Sequence, residues 1–229
     1  MTSAHPLDRP VWSALTSRQA HLALGDARAL RMAPEFGLFA AAADGSAQSL
    51  AALAALVPAL GAVATVGAAE PGPVPGAAAE THAIWQMTAE RLTEAPAPGF
   101  AIVPLGEADA ARMLALATLT QPGPFFARTH QLGDFVGVKA PDGALLAMAG
   151  ERLKPIGFTE VSGVCTAPGQ RGRGYAGALM RQVAGRILAR GEVPFLHAYA
   201  HNTGAIALYE SLGFTLRREV TMTVLSRPG

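Results

Sequence analysis

The stretch VCTAPGQRGRGYAGAL, residues 164–179, decides how the rest of the chain is read. It runs as a strand, turns at Ala167-Pro168-Gly169, and then opens a helix through a series of small residues. The first N–H groups of a helix have no partner within it, and they lie at the positive end of its dipole, so such a start is an anion site. Gly172 and Gly174 carry no Cβ and Ala176 only a methyl, which lets the backbone come close to a phosphate or pyrophosphate. Arg171 and Arg173 add positive charge. A ligand-free glycine turn would need neither arginine.

Gly172, Gly174 and Gly177 also satisfy the spacing of a dinucleotide fingerprint. In that motif the strand runs straight into the first glycine, and a carboxylate closes the following strand. Here residues 167–171 intervene, and the next strand ends in His201-Asn202. The nicotinamide reading therefore fails. Neither Lys139 nor Lys154 follows a glycine-rich loop, which excludes a Walker site.

Working outward, the apolar pattern predicts a helix over 174–190, with Leu179, Met180, Val183 and Ile187 sharing a face. Strands are expected at 135–139 and 145–151, joined by the turn Pro141-Asp142-Gly143, and at 159–166, 195–200 and 215–224. Further helices are expected over 107–119 and 203–212. This is an α/β arrangement on a mixed sheet. Upstream, the pattern predicts helices at 11–24 and 46–57 and strands at 36–42, 62–66, 82–88 and 100–103. Proline and glycine crowd residues 70–80 and 95–99, which places a boundary before Phe100. The expected organisation is an N-terminal α/β lobe of unread role over 1–95 and a domain carrying the chemistry over 96–229.

Half of the 229 residues are hydrophobic and 15% are charged, which excludes a disordered chain. A net charge of +1 without a basic stripe argues against nucleic acid as a partner. The single cysteine, Cys165, permits no internal disulfide and no cysteine-based metal centre, so no metal is expected. Residues 45–69 lack charge and are long enough to span a bilayer, but Pro58, Gly61 and Gly67 interrupt them. A soluble, cytoplasmic protein without a membrane partner is expected, and the composition leaves a homodimer open.

Arg171-x-x-Gly174-x-Ala176 resembles the pyrophosphate signature of the GNAT superfamily of acetyl-CoA-dependent N-acetyltransferases, Arg/Gln-x-x-Gly-x-Gly/Ala. Asn202 with the run AIALYESLGF (205–214) is similar to that family's second motif. The resemblance covers about the last 130 residues. It implies a GNAT-like fold in which two central strands splay and acetyl-CoA lays its pantetheine arm between them. Backbone groups of Val164, Cys165 and Thr166 would then bond the arm and the thioester carbonyl. Arg171, Gly172, Arg173, Gly174, Tyr175 and Ala176 would hold the pyrophosphate, and Asn202 would contact the arm. Asn202 is equally suited to cap the helix that follows it.

Acylation of an amine needs its free base. An ammonium with pKa near 10 resists that by roughly 4 kcal/mol at neutral pH, so a base is expected. Glu160 opens the strand leading to Val164, about 13 Å away along an extended chain. Residues 157–166 (GFTEVSGVCT) also resemble the histone-acetyltransferase branch, where a glutamate at this offset is the base. His130, His197 and His201 compete for the role. The resemblance places Tyr209 against the leaving sulfur as its proton or hydrogen-bond donor. Cys165, mid-strand and without a neighbouring histidine in sequence, reads as a buried hydrophobe rather than a nucleophile. The implied activity is acetyl transfer from acetyl-CoA to a primary amine, small-molecule or peptide, by direct attack in a ternary complex. The alternative is a CoA-binding regulatory module without turnover.

Overall fold

The computed structural model describes residues 5–228. Helix α1 (Pro10–Leu15) is followed by strands β1 (Ala23–Gly25), β2 (Ala29–Met32) and β3 (Ala40–Ala42), which form a small antiparallel sheet, and by helix α2 (Ala47–Leu56). The expected helix over 11–24 is cut to less than half its length, the six residues of α1. Thr16 Oγ1 folds back onto the Trp12 carbonyl at 2.7 Å, a side-chain bond that competes with helix propagation. Ser46 caps α2 by accepting the Ser49 N–H at 3.2 Å. The uncharged stretch therefore divides between α2 and a strand. No helix among the described residues is long and apolar enough to cross a membrane.

The remaining elements are β4 (Ala62–Gly67), β5 (Ala78–Thr88), β6 (Val103–Leu105), α3 (Ala110–Thr120), β7 (Phe135–Lys139), β8 (Leu145–Glu151), β9 (Phe158–Thr166), α4 (Tyr175–Ala189), β10 (Val193–Tyr199), α5 (Thr203–Leu212) and β11 (Thr215–Ser226). Their eight strands form one sheet in the order β4-β11-β5-β10-β9-β8-β7-β6. Only β9 and β10 pair in parallel, the natural result of the α4 crossover between them. The expected hairpin of β7 and β8 forms, and Gly143 supplies the positive φ of its turn.

The domain boundary expected at residue 95 is corrected by this topology. β5 lies inside the main sheet, bonded to β10 along one edge and to β11 along the other. β4 flanks β11 on its far side. The Pro/Gly stretch over 70–77 is thus a connection between two strands that straddle β11, and it separates no units. An additional N-terminal α/β lobe exists, but it comprises only the elements before β4. Its apolar residues Leu7, Val11 and Met32 share a core with Ile84, Phe195 and Val220 of the large sheet and with Leu153 of the β8–β9 connection. Helices α4 and α5 pack through Leu179, Val183, Ile206 and Leu212 against Met87, Leu196 and Ala198. Helix α3 closes a third cluster with Phe135, Met148 and Cys165.

Candidate active site

β9 and β10 are hydrogen-bonding neighbours for three residue pairs only, ending at Phe195 opposite Glu160. Beyond that point β9 continues to Thr166 and β10 to Tyr199 with no pairing between them. Two features turn β9 away: Gly163 adopts φ +63°, and the β8–β9 register shifts between Met148 and Gly150. A wedge with unpaired backbone on its inner edges results, and such groups need a partner.

The wedge opens into a cleft of about 870 Å³ that brings together Val164, Cys165, Thr166, the 170–177 loop, Asn202 and Tyr209. Gly169, Gly172 and Gly174 all have φ +78°, and nothing lies within 4 Å of where a Cβ would project from any of them. This backbone favours glycine, and its surroundings are open. Gly174 begins the 15-residue α4 without a side-chain cap, leaving the first N–H groups free at the cleft. Arg171 and Arg173 are exposed beside them. The donor set fits the pyrophosphate and amide-bearing arm of an acyl-CoA.

Tyr209 is half-buried on α5, against Phe214 at 6.5 Å between ring centroids. Burial pushes its phenol above the ordinary value, so it stays protonated as a donor. Asn202 accepts the Ala205 N–H at 3.3 Å, capping α5, while it also lines the cleft. Burial pushes the Cys165 thiol up to about 11, despite a hydrogen bond with Thr120. A thiol so protonated is a poor nucleophile, which agrees with its place among Met113, Leu116 and Met148.

Glu160 does not occupy an open strand end. It is fully buried, and its two oxygens accept bonds from Arg152 Nε and Nη2, both at 2.8 Å. His197 Nδ1 lies 2.8 Å from Oε1. Burial alone would raise the carboxyl's pKa, but the Arg152 charge and the bonds from Arg152 and His197 outweigh it and hold Glu160 well below the usual carboxylate range. A carboxylate so placed cannot reach an amine and takes a proton poorly. This corrects the expectation of a base at Glu160. His197 is committed too: Gln86 Nε2 sits 3.1 Å from its second nitrogen and also donates to the Leu7 carbonyl at 2.9 Å. Both His197 nitrogens are thus engaged, Nδ1 by Glu160 and Nε2 by Gln86. His130 is likewise buried, with Nε2 2.9 Å from Glu107.

Two parts of the cleft escaped the sequence reading. Residues 120–123, after α3, form one wall, and Tyr199 at the end of β10 forms another. Pro122-Gly123 lies just after α3, and nothing local in the sequence links it to β9.

Residues 136–223 match the family model described as FR47-like protein. A GNAT-family acetyltransferase of Novosphingobium aromaticivorans is 45% identical over 98% of this chain and 100% of its own, with a TM-score of 0.88. A GCN5-related N-acetyltransferase of Kribbella flavida shares the fold at 16% identity, covering 99% of this chain and 98% of its own (TM-score 0.66). A GNAT-family acetyltransferase of Colwellia psychrerythraea does so at 13% identity over 73% and 66% (TM-score 0.54). No curated relative matches the sequence. The chain belongs to the GNAT family of acetyltransferases, a class of acyl-CoA-dependent N-acyltransferases.

Proposed function

We propose that the protein transfers an acetyl group from acetyl-CoA to a primary amine, carried by a small molecule or peptide, by direct attack in a ternary complex. The observation that carries this reading is the wedge between β9 and β10, which opens onto an uncapped, glycine-lined helix start and Tyr209 in one cleft. Acetyl-CoA supplies the acyl group as a thioester. Val164, Cys165 and Thr166 offer backbone partners to its arm and carbonyl. Residues Arg171 to Ala176 receive the pyrophosphate on main-chain N–H groups with two arginines beside them. Asn202 retains its amide N–H donors for the arm after capping α5. Tyr209 presents its hydroxyl to the leaving sulfur. Cys165 takes no covalent part.

Gly174→Val tests the site. It places a branched side chain at φ +78°, where L residues are strained, and projects it into the space assigned to the pyrophosphate. Acetyl-CoA affinity measured by calorimetry is expected to fall at least about tenfold, a loss of 1.4 kcal/mol or more. A folded variant with unchanged affinity would refute the site. Release of free CoA across a panel of primary amines, with no release above buffer for any of them, would refute turnover and leave a CoA-binding module.

A further inference from the structure

With Glu160 locked in the core, another group must take the proton of the incoming ammonium. We propose that His82 does so, with the Glu80 carboxylate beside its imidazole; this rests on the acetyl-transfer reading above.

Placement selects His82 among the six histidines. His130 and His197 are buried in the pairs already described. His5 uses Nδ1 to accept the Leu7 N–H at 3.1 Å, and His21 lies in the turn before β1. His82 and His201 remain, and both touch Tyr199, a wall of the cleft that is 41% exposed. His201 stacks on it at 5.3 Å, and His82 meets it in a T-shaped contact at 5.9 Å. Only His82 has a carboxylate beside it, with Nε2 3.2 Å from Glu80 Oε1. Glu80 and His82 point to the same side of β5, two residues apart. The last β10–β5 pair is Tyr199 opposite Ile84, so residues 78–83 extend past the end of β10 and pair only with β11. The Glu80–His82 pair therefore stands on an open strand edge beyond the end of β10, next to the wall of the cleft.

The other groups around His82 are compatible with the role. Tyr199 approaches from β10, His201 from the turn after it, and the cross-strand neighbour on β11 is Met222, which does not ionise. Glu80 Oε1 stands at ion-pair distance from Nε2, Nδ1 is left to accept a proton, and the carboxylate stabilises the imidazolium that forms. In the balanced step, R–NH₃⁺ gives one proton to His82 Nδ1, directly or through a water. The freed lone pair attacks the thioester carbonyl, a C–N bond forms and the C–S bond breaks. The second nitrogen proton leaves to solvent, and the departing thiolate, held by a hydrogen bond from the Tyr209 hydroxyl, takes one from solvent. His82 returns its proton to solvent, so R–NH₃⁺ and acetyl-CoA become amide, CoA thiol and H⁺.

The test compares parent, His82→Gln, Glu80→Gln and His201→Gln. The acceptor is whichever of propylamine, spermidine or a lysine-containing peptide the parent uses fastest. His82→Gln is expected to lower turnover about 10²–10⁴-fold at neutral pH, to recover in part at high pH where free amine is abundant, and to leave acetyl-CoA affinity unchanged. Glu80→Gln should lose less, because the imidazole stays in place and only its carboxylate neighbour is removed. His201→Gln should keep the parent's profile. An unchanged profile in His82→Gln, or loss of the acid limb in His201→Gln instead, overturns the assignment while leaving acetyl transfer standing. A parent that binds acetyl-CoA but acylates none of the three amines overturns turnover itself, and His82 as base with it.

Discussion

Glu160→Gln is expected to cost about 3–5 kcal/mol of folding free energy, because it removes one partner from a buried ion pair and leaves Arg152 without its counter-charge. Arg152 is itself only 13% exposed and lies over the Phe39 ring at 4.8 Å, so it cannot simply turn to water. Its backbone carbonyl accepts from Gln19 Nε2 at 2.8 Å, which ties the N-terminal lobe to the same point. In a chain of this length each kcal/mol moves the melting temperature by about 2–4 °C, so a drop of about 6–20 °C should appear in a thermal scan. The sign of the pH dependence follows from the depressed carboxyl. Its contribution is fully present above the ordinary carboxylate range, near 4.5, and is lost as pH falls through the lower folded value. The parent should therefore lose stability in acid more steeply than the variant. The folded variant should keep the parent's pH–rate shape; a selective rate loss at neutral pH that recovers at high pH, with melting unchanged, would restore Glu160 as the base.

Tyr209→Phe is expected to leave acetyl-CoA affinity nearly intact and lower turnover by about 10–10²-fold, the worth of a hydrogen bond to a developing charge. An ordinary phenol lies above a thiol by about 1.5 pKa units, or about 2 kcal/mol. Burial raises Tyr209 further, which makes full proton transfer to sulfur harder and favours a strong hydrogen bond as its main contribution. The ring survives the change, so its packing on Phe214 and the melting temperature should hold. Turnover within twofold of the parent, with the best amine acceptor, would make Tyr209 a packing residue only.

Local chemistry made much of the C-terminal half legible. β7, β8 and α5 lie where periodicity and turn residues put them, because each is bounded by signals within a few residues: Pro141-Asp142-Gly143 for the hairpin, Asn202 and Gly213 for the helix. The glycine–arginine run from 171 to 176 was readable for the same reason, since positive φ and a bare helix start are properties of the segment itself. The sequence by itself thus determined the α/β class, the glycine-lined start of α4 and the family resemblance.

Three features depended on segments distant along the chain. β5 could be recognised as strand-like, but only pairing showed that it enters the sheet between β10 and β11, because register is a property of two strands and neither specifies its partner locally. The end of the β9–β10 ladder, which makes the wedge, has no mark in either strand apart from Gly163. Glu160 looked like a carboxylate at a strand end; burial by Arg152, eight residues back, and His197, 37 residues on, turned it from a candidate base into a buried anchor. Burial and charge partners set what a side chain can do, and for Glu160 and His82 alike the tertiary structure supplied both.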